Sequence, residues 1–156
     1  MNTLITIHLK TEGDSHKDLM VSVQKNGFNG IFDSYYLGLD DEIKTDLKGL
    51  EKINLVLKKL IEYWIKTITE AKNREVHYLP IDFSDQYTGC FRIEKKDNNL
   101  LVSYGYSLIE GYSVSPSNPG NYATSISDFE ENPEFSSFSV SQDELVSSLR
   151  KIIDGL

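Results

Sequence analysis

Three histidines, one cysteine and a scatter of carboxylates are the side chains of this sequence that could do chemistry. His8, His16 and His77 do not lie at the spacing that sets two imidazoles on one helix face for a metal ion. His8 falls on the polar side of an alternating segment and His16 in a turn, so both read as surface histidines. His77 shares a strand face with Leu79, Ile81 and Phe83. It is expected to be partly buried and hydrogen-bonded. Cys90 could attack a substrate only as a thiolate, which needs a cationic or helix-terminal setting. It falls on the strand face of Thr88, Arg92 and Glu94, with no nucleophile signature around it. No Gly-Xaa-Ser-Xaa-Gly elbow occurs, and Gly27 and Gly30 do not open a phosphate loop. Asp82 and Asp85, with Glu75, could supply a carboxylate pair for acid–base work. The run Asp82-Phe83-Ser84-Asp85-Gln86 reads more simply as a strand end and a turn. No catalytic residue, metal ligand or cofactor is assigned, and a non-enzymatic role is expected.

Binding chemistry is better represented. The net charge is −8, and residues 97–149 hold eight acids with no Lys or Arg. Such a field repels nucleic acid and draws in basic partners, although the same charge also serves plain solubility. Within this acidic third, segment 104–135 interleaves aromatic rings with carboxylates. Aromatic rings anchor interfaces, and acids steer a basic partner toward them. The candidate partner-binding residues are Tyr106, Glu110, Tyr112, Tyr122, Asp128, Phe129, Glu130, Glu131 and Glu134. A pocket lined by Tyr104, Tyr106 and Tyr112, taking a small molecule or peptide, is the alternative.

These residues need elements to position them. Residues 3–10 and 18–25 alternate apolar and polar types, as half-buried strands do. Glu12-Gly13-Asp14-Ser15 reads as the turn between them. Asn26-Gly27 and Asn29-Gly30 read as turns, with a further strand over 31–37. From Asp41 the period changes to that of a helix: Ile43, Leu47, Leu50, Leu57, Leu60, Ile61, Trp64, Ile68 and Ala71 form one stripe. Asp40, Asp41 and Glu42 would sit at its positive end. The implied helix is long, so a break near Gly49 is expected. Strands follow over 76–83, 89–95 and 100–107, the last two joined by a turn at Asp97-Asn98-Asn99, with a shorter one over 109–115. Three of the four prolines then fall between 116 and 133, which marks a long irregular segment. A last strand over 135–140 leads to Ser141-Gln142-Asp143-Glu144, a capping box that opens a short amphipathic helix. Segregated helices and short antiparallel connections predict one α+β domain over 1–156: a mainly antiparallel sheet, one long central helix and a short C-terminal helix.

One cysteine excludes an intramolecular disulfide. The first residues do not build a basic leader with an apolar run, and no stretch approaches the ~18 apolar residues of a membrane span. A cytoplasmic location, away from the membrane, is expected.

Two stretches, Tyr78-Leu79-Pro80-Ile81-Asp82-Phe83-Ser84-Asp85-Gln86-Tyr87-Thr88-Gly89-Cys90-Phe91 and Val102-Ser103-Tyr104-Gly105-Tyr106-Ser107-Leu108-Ile109-Glu110-Gly111-Tyr112, give a small acidic α+β chain that resembles the immunity proteins of bacterial polymorphic-toxin and contact-dependent growth inhibition systems. The resemblance covers less than half of the chain. It implies a bacterial cytoplasmic inhibitor that binds a cognate toxin domain and blocks its active site. Toxins of these systems are often nucleases with basic substrate sites, which an acidic segment would suit.

Overall fold

The computed structural model describes residues 3–10 and 17–156. The expected turn over 12–15 and His16 lie outside the described residues. Strands β1 (Ile5–Leu9), β2 (Leu19–Val23) and β3 (Phe28–Phe32) form an antiparallel three-stranded sheet in sequence order. A short helix α1 (Tyr35–Gly38) and the long helix α2 (Gly49–Glu70) follow. Strands β4 (Val76–Phe83), β5 (Thr88–Lys96) and β6 (Asn99–Ser107) then make an antiparallel meander. The outer edge of β6 is shared. Strand β7 (Glu130–Glu131) pairs with Gly105 and Tyr106, and β8 (Phe138–Ser141) pairs with Asn99–Val102. Between β6 and β7 run a 3-10 turn (Gly111–Ser113) and a short helix α3 (Gly120–Ala123), and helix α4 (Gln142–Asp154) follows β8. The architecture is α+β, as the sequence predicts, with the strands divided between two sheets.

Alternation explains the core. Phe91 and Ile93 on β5, and Leu100, Val102 and Tyr104 on β6, turn to one side of the meander, where Val56, Leu57, Leu60, Ile61, Trp64, Ile65 and Ile68 of α2 join one hydrophobic cluster with them. The first sheet enters this cluster through aromatic rings. Phe28 and Phe32 of β3 lie 5.3 and 5.6 Å from the Tyr104 ring, and Phe91 lies 5.2 Å from it. Trp64 meets Phe91 edge-on at 5.8 Å and donates its indole N–H to the Pro80 carbonyl at 3.1 Å. Ser141 caps α4 as its sequence motif predicts, its Oγ accepting from the Glu144 amide at 3.1 Å.

Three local expectations change. The helix does not start at Asp41 but at Gly49, which holds φ +62°. An L-residue with a side chain rarely adopts that value, so Gly49 is the point of entry into the helix rather than a kink within it. Ahead of it the Asp40 carboxylate takes the amides of Glu42 and Ile43 at 3.0 and 3.1 Å. Asp therefore offers those amides a turn in place of a helix, and Leu47 and Leu50 are left exposed. Asn29-Gly30 lies within β3, not in a turn, and residues 33–38 form the α1 turn in place of a strand continuing to 37. The stretch 109–115 holds the 3-10 turn and not a strand.

The proline-rich segment covers the second face of the meander. Ala123 and Ile126 are buried. The Phe129 ring packs 5.2 Å from that of Tyr78. His77 is partly buried, as expected, with Nε2 3.4 Å from the Glu75 carboxylate.

Candidate functional site

Two turns and a hairpin meet at one end of the meander. The α1 turn brings Asp33, Tyr35, Tyr36 and Leu39. The β4–β5 hairpin brings Asp85 and Tyr87, and the segment after β6 brings Leu108, Glu110 and Tyr112. Their contacts tie them into one surface. The Tyr36 hydroxyl donates to the Asp85 carboxylate, 49 residues away in sequence. The charge of Asp85 also reaches Tyr112, whose hydroxyl donates to Glu110 at 3.1 Å. Tyr87 and Tyr106 pack edge-on at 5.2 Å, and Asn132 donates to the Tyr106 hydroxyl at 3.3 Å. Glu130 sits across the ladder from Tyr106, and Glu134 lies near its ring. Leu39, Leu108 and Tyr112 are the most exposed large apolar residues here, at 54%, 77% and 58%.

The turns are held by hydrogen bonds that need little of the exposed surface. Asp40 is buried, and its two oxygens accept from Ser117 N at 2.7 Å, Ser117 Oγ at 2.9 Å and Ser115 Oγ at 3.1 Å. Burial alone would raise its pKa. The bonds from Ser117, Ile43 and Ser115 outweigh that and hold it below the ordinary carboxylate value. Gly111 donates its amide to the Ser84 carbonyl at 2.6 Å. A Cβ at Gly111 would overlap the Ser84 backbone, so only glycine allows this approach. Gly111→Ala is expected to cost about 1–3 kcal/mol through overpacking and to pull Tyr112 away from Asp85. Urea denaturation checks the first effect. An unchanged midpoint would show that the turn yields freely.

The surface carries carboxylates and protonated phenols. Hydrogen bonding to Asp85 pushes Tyr36 up to about 12, and burial with the nearby Asp82 charge pushes Tyr87 up to about 12. Tyr112 is raised by its bond to Glu110. Beneath the tyrosines, Asp82 is buried and its pKa is pushed up to about 6 by desolvation. The Asp33 amide and the Tyr87 hydroxyl, each at 3.3 Å, oppose that rise. Phenols and carboxylates arranged this way can accept a cationic group.

The residues singled out by sequence divide in two. Tyr106, Glu110, Tyr112, Glu130 and Glu134 are exposed around this surface, and Glu131 is exposed on the adjoining strand. Tyr122 and Phe129 turn toward the meander and are only partly accessible. Asp128 accepts from Ser107 Oγ at 2.7 Å and from the Leu108 amide at 2.8 Å, which lowers its pKa and fixes the end of β6. Tyr104 is sealed in the core, and Tyr112 faces Tyr36 and Leu39 across a groove. The three tyrosines expected to line a pocket therefore do not share one. Tyr35, Tyr36 and Leu39 escaped the sequence reading because residues 31–37 looked like a strand. The adjacent tyrosines beside Asp33 were the available signal.

Cys90 is fully buried, and burial pushes its thiol up to about 12. Burial of this kind disfavours the thiolate that a nucleophile needs. Among the described residues no group of three His, Cys, Asp or Glu side chains could hold a metal ion, and no helix is long and apolar enough to cross a membrane.

No protein-family model matches the sequence, and no curated protein matches it significantly. Among solved structures, the fold is similar to a chain of the "CdiA-CT/CdiI toxin and immunity complex from Enterobacter cloacae". The match has a TM-score of 0.54 at 12% identity, covering 97% of this chain and 98% of that one. The chain has a fold found in a contact-dependent inhibition toxin–immunity complex. At this identity the likeness extends to the path of the backbone alone.

Proposed function

We propose that this chain is an immunity protein, which binds a cognate toxin domain in the bacterial cytoplasm and blocks its active site without catalysing a reaction. The observation that carries the proposal is the acidic, aromatic surface, displayed on a fold that occurs in a toxin–immunity complex. The target is basic, as a nuclease active site is, because a surface of carboxylates favours encounter with opposite charge. Tyr106 and Tyr112 serve as anchors, and Glu110, Glu130, Glu131 and Glu134 as steering charges. Tyr122, Asp128 and Phe129 complete the binding segment from below by holding it on the meander.

Co-expression tests the role. The toxin domain should arrest growth alone, and this chain should restore growth when present. Growth arrest by this chain alone would make it the toxin component instead. The triple substitution Glu130→Lys, Glu131→Lys, Glu134→Lys tests the face. Association should slow by roughly ten-fold at low salt, with a smaller difference at high salt. Stopped-flow association rates at two ionic strengths read this, and equal rates for variant and parent would remove these acids from the interface.

A further inference from the structure

The groove between the α1 turn and the 3-10 turn is about 350 Å³. Tyr36 and Leu39 line one side, Tyr112 and Pro116 the other, and Asp41 and Glu42 lie along the same opening. We propose that this groove receives an arginine side chain of the partner, stacked on a tyrosine ring and paired with the carboxylates at its mouth. The inference rests on the immunity reading for the identity of the partner, but the arginine preference follows from the groove itself.

Three features lead there. First, the negative charge is uncompensated. The ion pairs among the described residues join Lys59 to Glu62, His77 to Glu75, and Arg92 and Lys96 to Glu94. Asp41, Glu42, Asp85 and Glu110 pair with no cation among the described residues. Second, the groove offers aromatic rings fixed at their hydroxyl ends: the exposed Tyr112 by Glu110, and the half-buried Tyr36 by Asp85. The Tyr112 ring is the more exposed of the two and lines the groove. Third, the walls are braced from beneath by Asp40 on Ser115 and Ser117, and by Gly111 on Ser84. A groove ordered before binding loses little freedom on binding.

A guanidinium suits this arrangement better than an ammonium. It is planar, it stacks on a ring face, and its fork of donors reaches two carboxylate oxygens together. A lysine head group is a more strongly hydrated point charge and gains less from a flat ring.

N-acetyl-L-argininamide is the probe, titrated into the intact chain while backbone amide resonances are followed by NMR. Saturable shifts are expected at Tyr36, Leu39 and Tyr112, in the millimolar range. N-acetyl-L-lysinamide should shift them less at equal concentration. The exposed double variant Asp41→Asn, Glu42→Gln should weaken the arginine response by roughly ten-fold, with the rest of its spectrum unchanged. The Glu70→Gln, Asp154→Asn variant, at exposed acids outside this surface, should leave the response intact. Three results would overturn the proposal: no saturable shift, an equal response to lysine, or shifts spread over every exposed acid. The titration contains no toxin. Its failure would leave the immunity role standing, and a failed growth rescue would leave the groove's arginine preference standing.

Discussion

Asp82→Asn is expected to stabilise the protein at neutral pH and to flatten its stability profile between about pH 4 and pH 7. Asp82 is buried under Tyr87 and Tyr104, and desolvation raises its pKa from 3.8 to about 6. The folded state thus holds a proton that the unfolded state has released. The stabilisation from this site is complete below pH ~4 and disappears as pH rises through the folded value near 6. The whole span corresponds to about 3 kcal/mol at 1.36 kcal/mol per unit. Between pH 5 and pH 7.5 the parent chain should lose roughly 1–2 kcal/mol from Asp82 alone. Asp40, Glu75 and Asp128 have lowered values and act with the opposite sign, losing their contribution only on descent below pH ~4. Stability should therefore peak on the acidic side of neutrality. Asparagine cannot ionise, its oxygen can still accept from the Asp33 amide, and its NH₂ can donate to a phenol oxygen. The buried Tyr104 hydroxyl, which has no hydrogen-bond partner among the described residues, is beside it. Urea denaturation at pH 5 and pH 7.5 measures both effects. If the Asn variant kept the parent's slope, the charge at Asp82 would not be its source.

Trp64→Ala should remove more stability than any other single truncation named here, about 3–5 kcal/mol. Trp64 is 1% exposed and stands between α2 and the meander. It contacts Phe91 edge-on and holds the Pro80 carbonyl, which would otherwise be a buried acceptor without a donor. Its side chain also borders a small apolar void of about 20 Å³, framed by residues such as Leu4, Leu79 and Leu149. Truncation would enlarge this void, and the two sheets and α4 could refill it only by moving together. For a domain with a total stability of about 5–15 kcal/mol, the loss is a large share. Trp64→Phe keeps most of the packing and should cost about 1–3 kcal/mol, chiefly for the unmet carbonyl. Circular dichroism during urea denaturation suits both variants, because Trp64 is the only tryptophan and fluorescence leaves with it. Near-equal losses in the two variants would assign the effect to the hydrogen bond and not to volume.

The elements with a strong local period were legible. The alternation of β1, β2, β5 and β6, the apolar stripe from Leu57 to Ile68 and the Ser141 cap each state their structure within a few residues. The same local reading failed around 33–48. There the apolar spacing of Ile43, Leu47 and Leu50 imitates a helix, while the Asp40 carboxylate draws the backbone amides into a turn. Hydrophobic period says where a helix could be. The hydrogen bonds of one short side chain decided where it was not.

Composition and local pattern were enough for the fold class, the lack of a recognisable catalytic motif, and the acidity of the last third of the chain. These depend on composition and on neighbours a few positions apart. Only the tertiary structure decided which acids face outward and which hold the chain together. Asp40 is buried and serves the turns, Asp128 is exposed yet holds the end of β6, and Glu110, Glu130 and Glu134 face outward. It also brought Tyr36 to Asp85, and Asp40 to Ser117 across 77 residues. No local pattern encodes such meetings, because they depend on how the two sheets pack around one aromatic cluster, and each side chain there is selected by its partners in space.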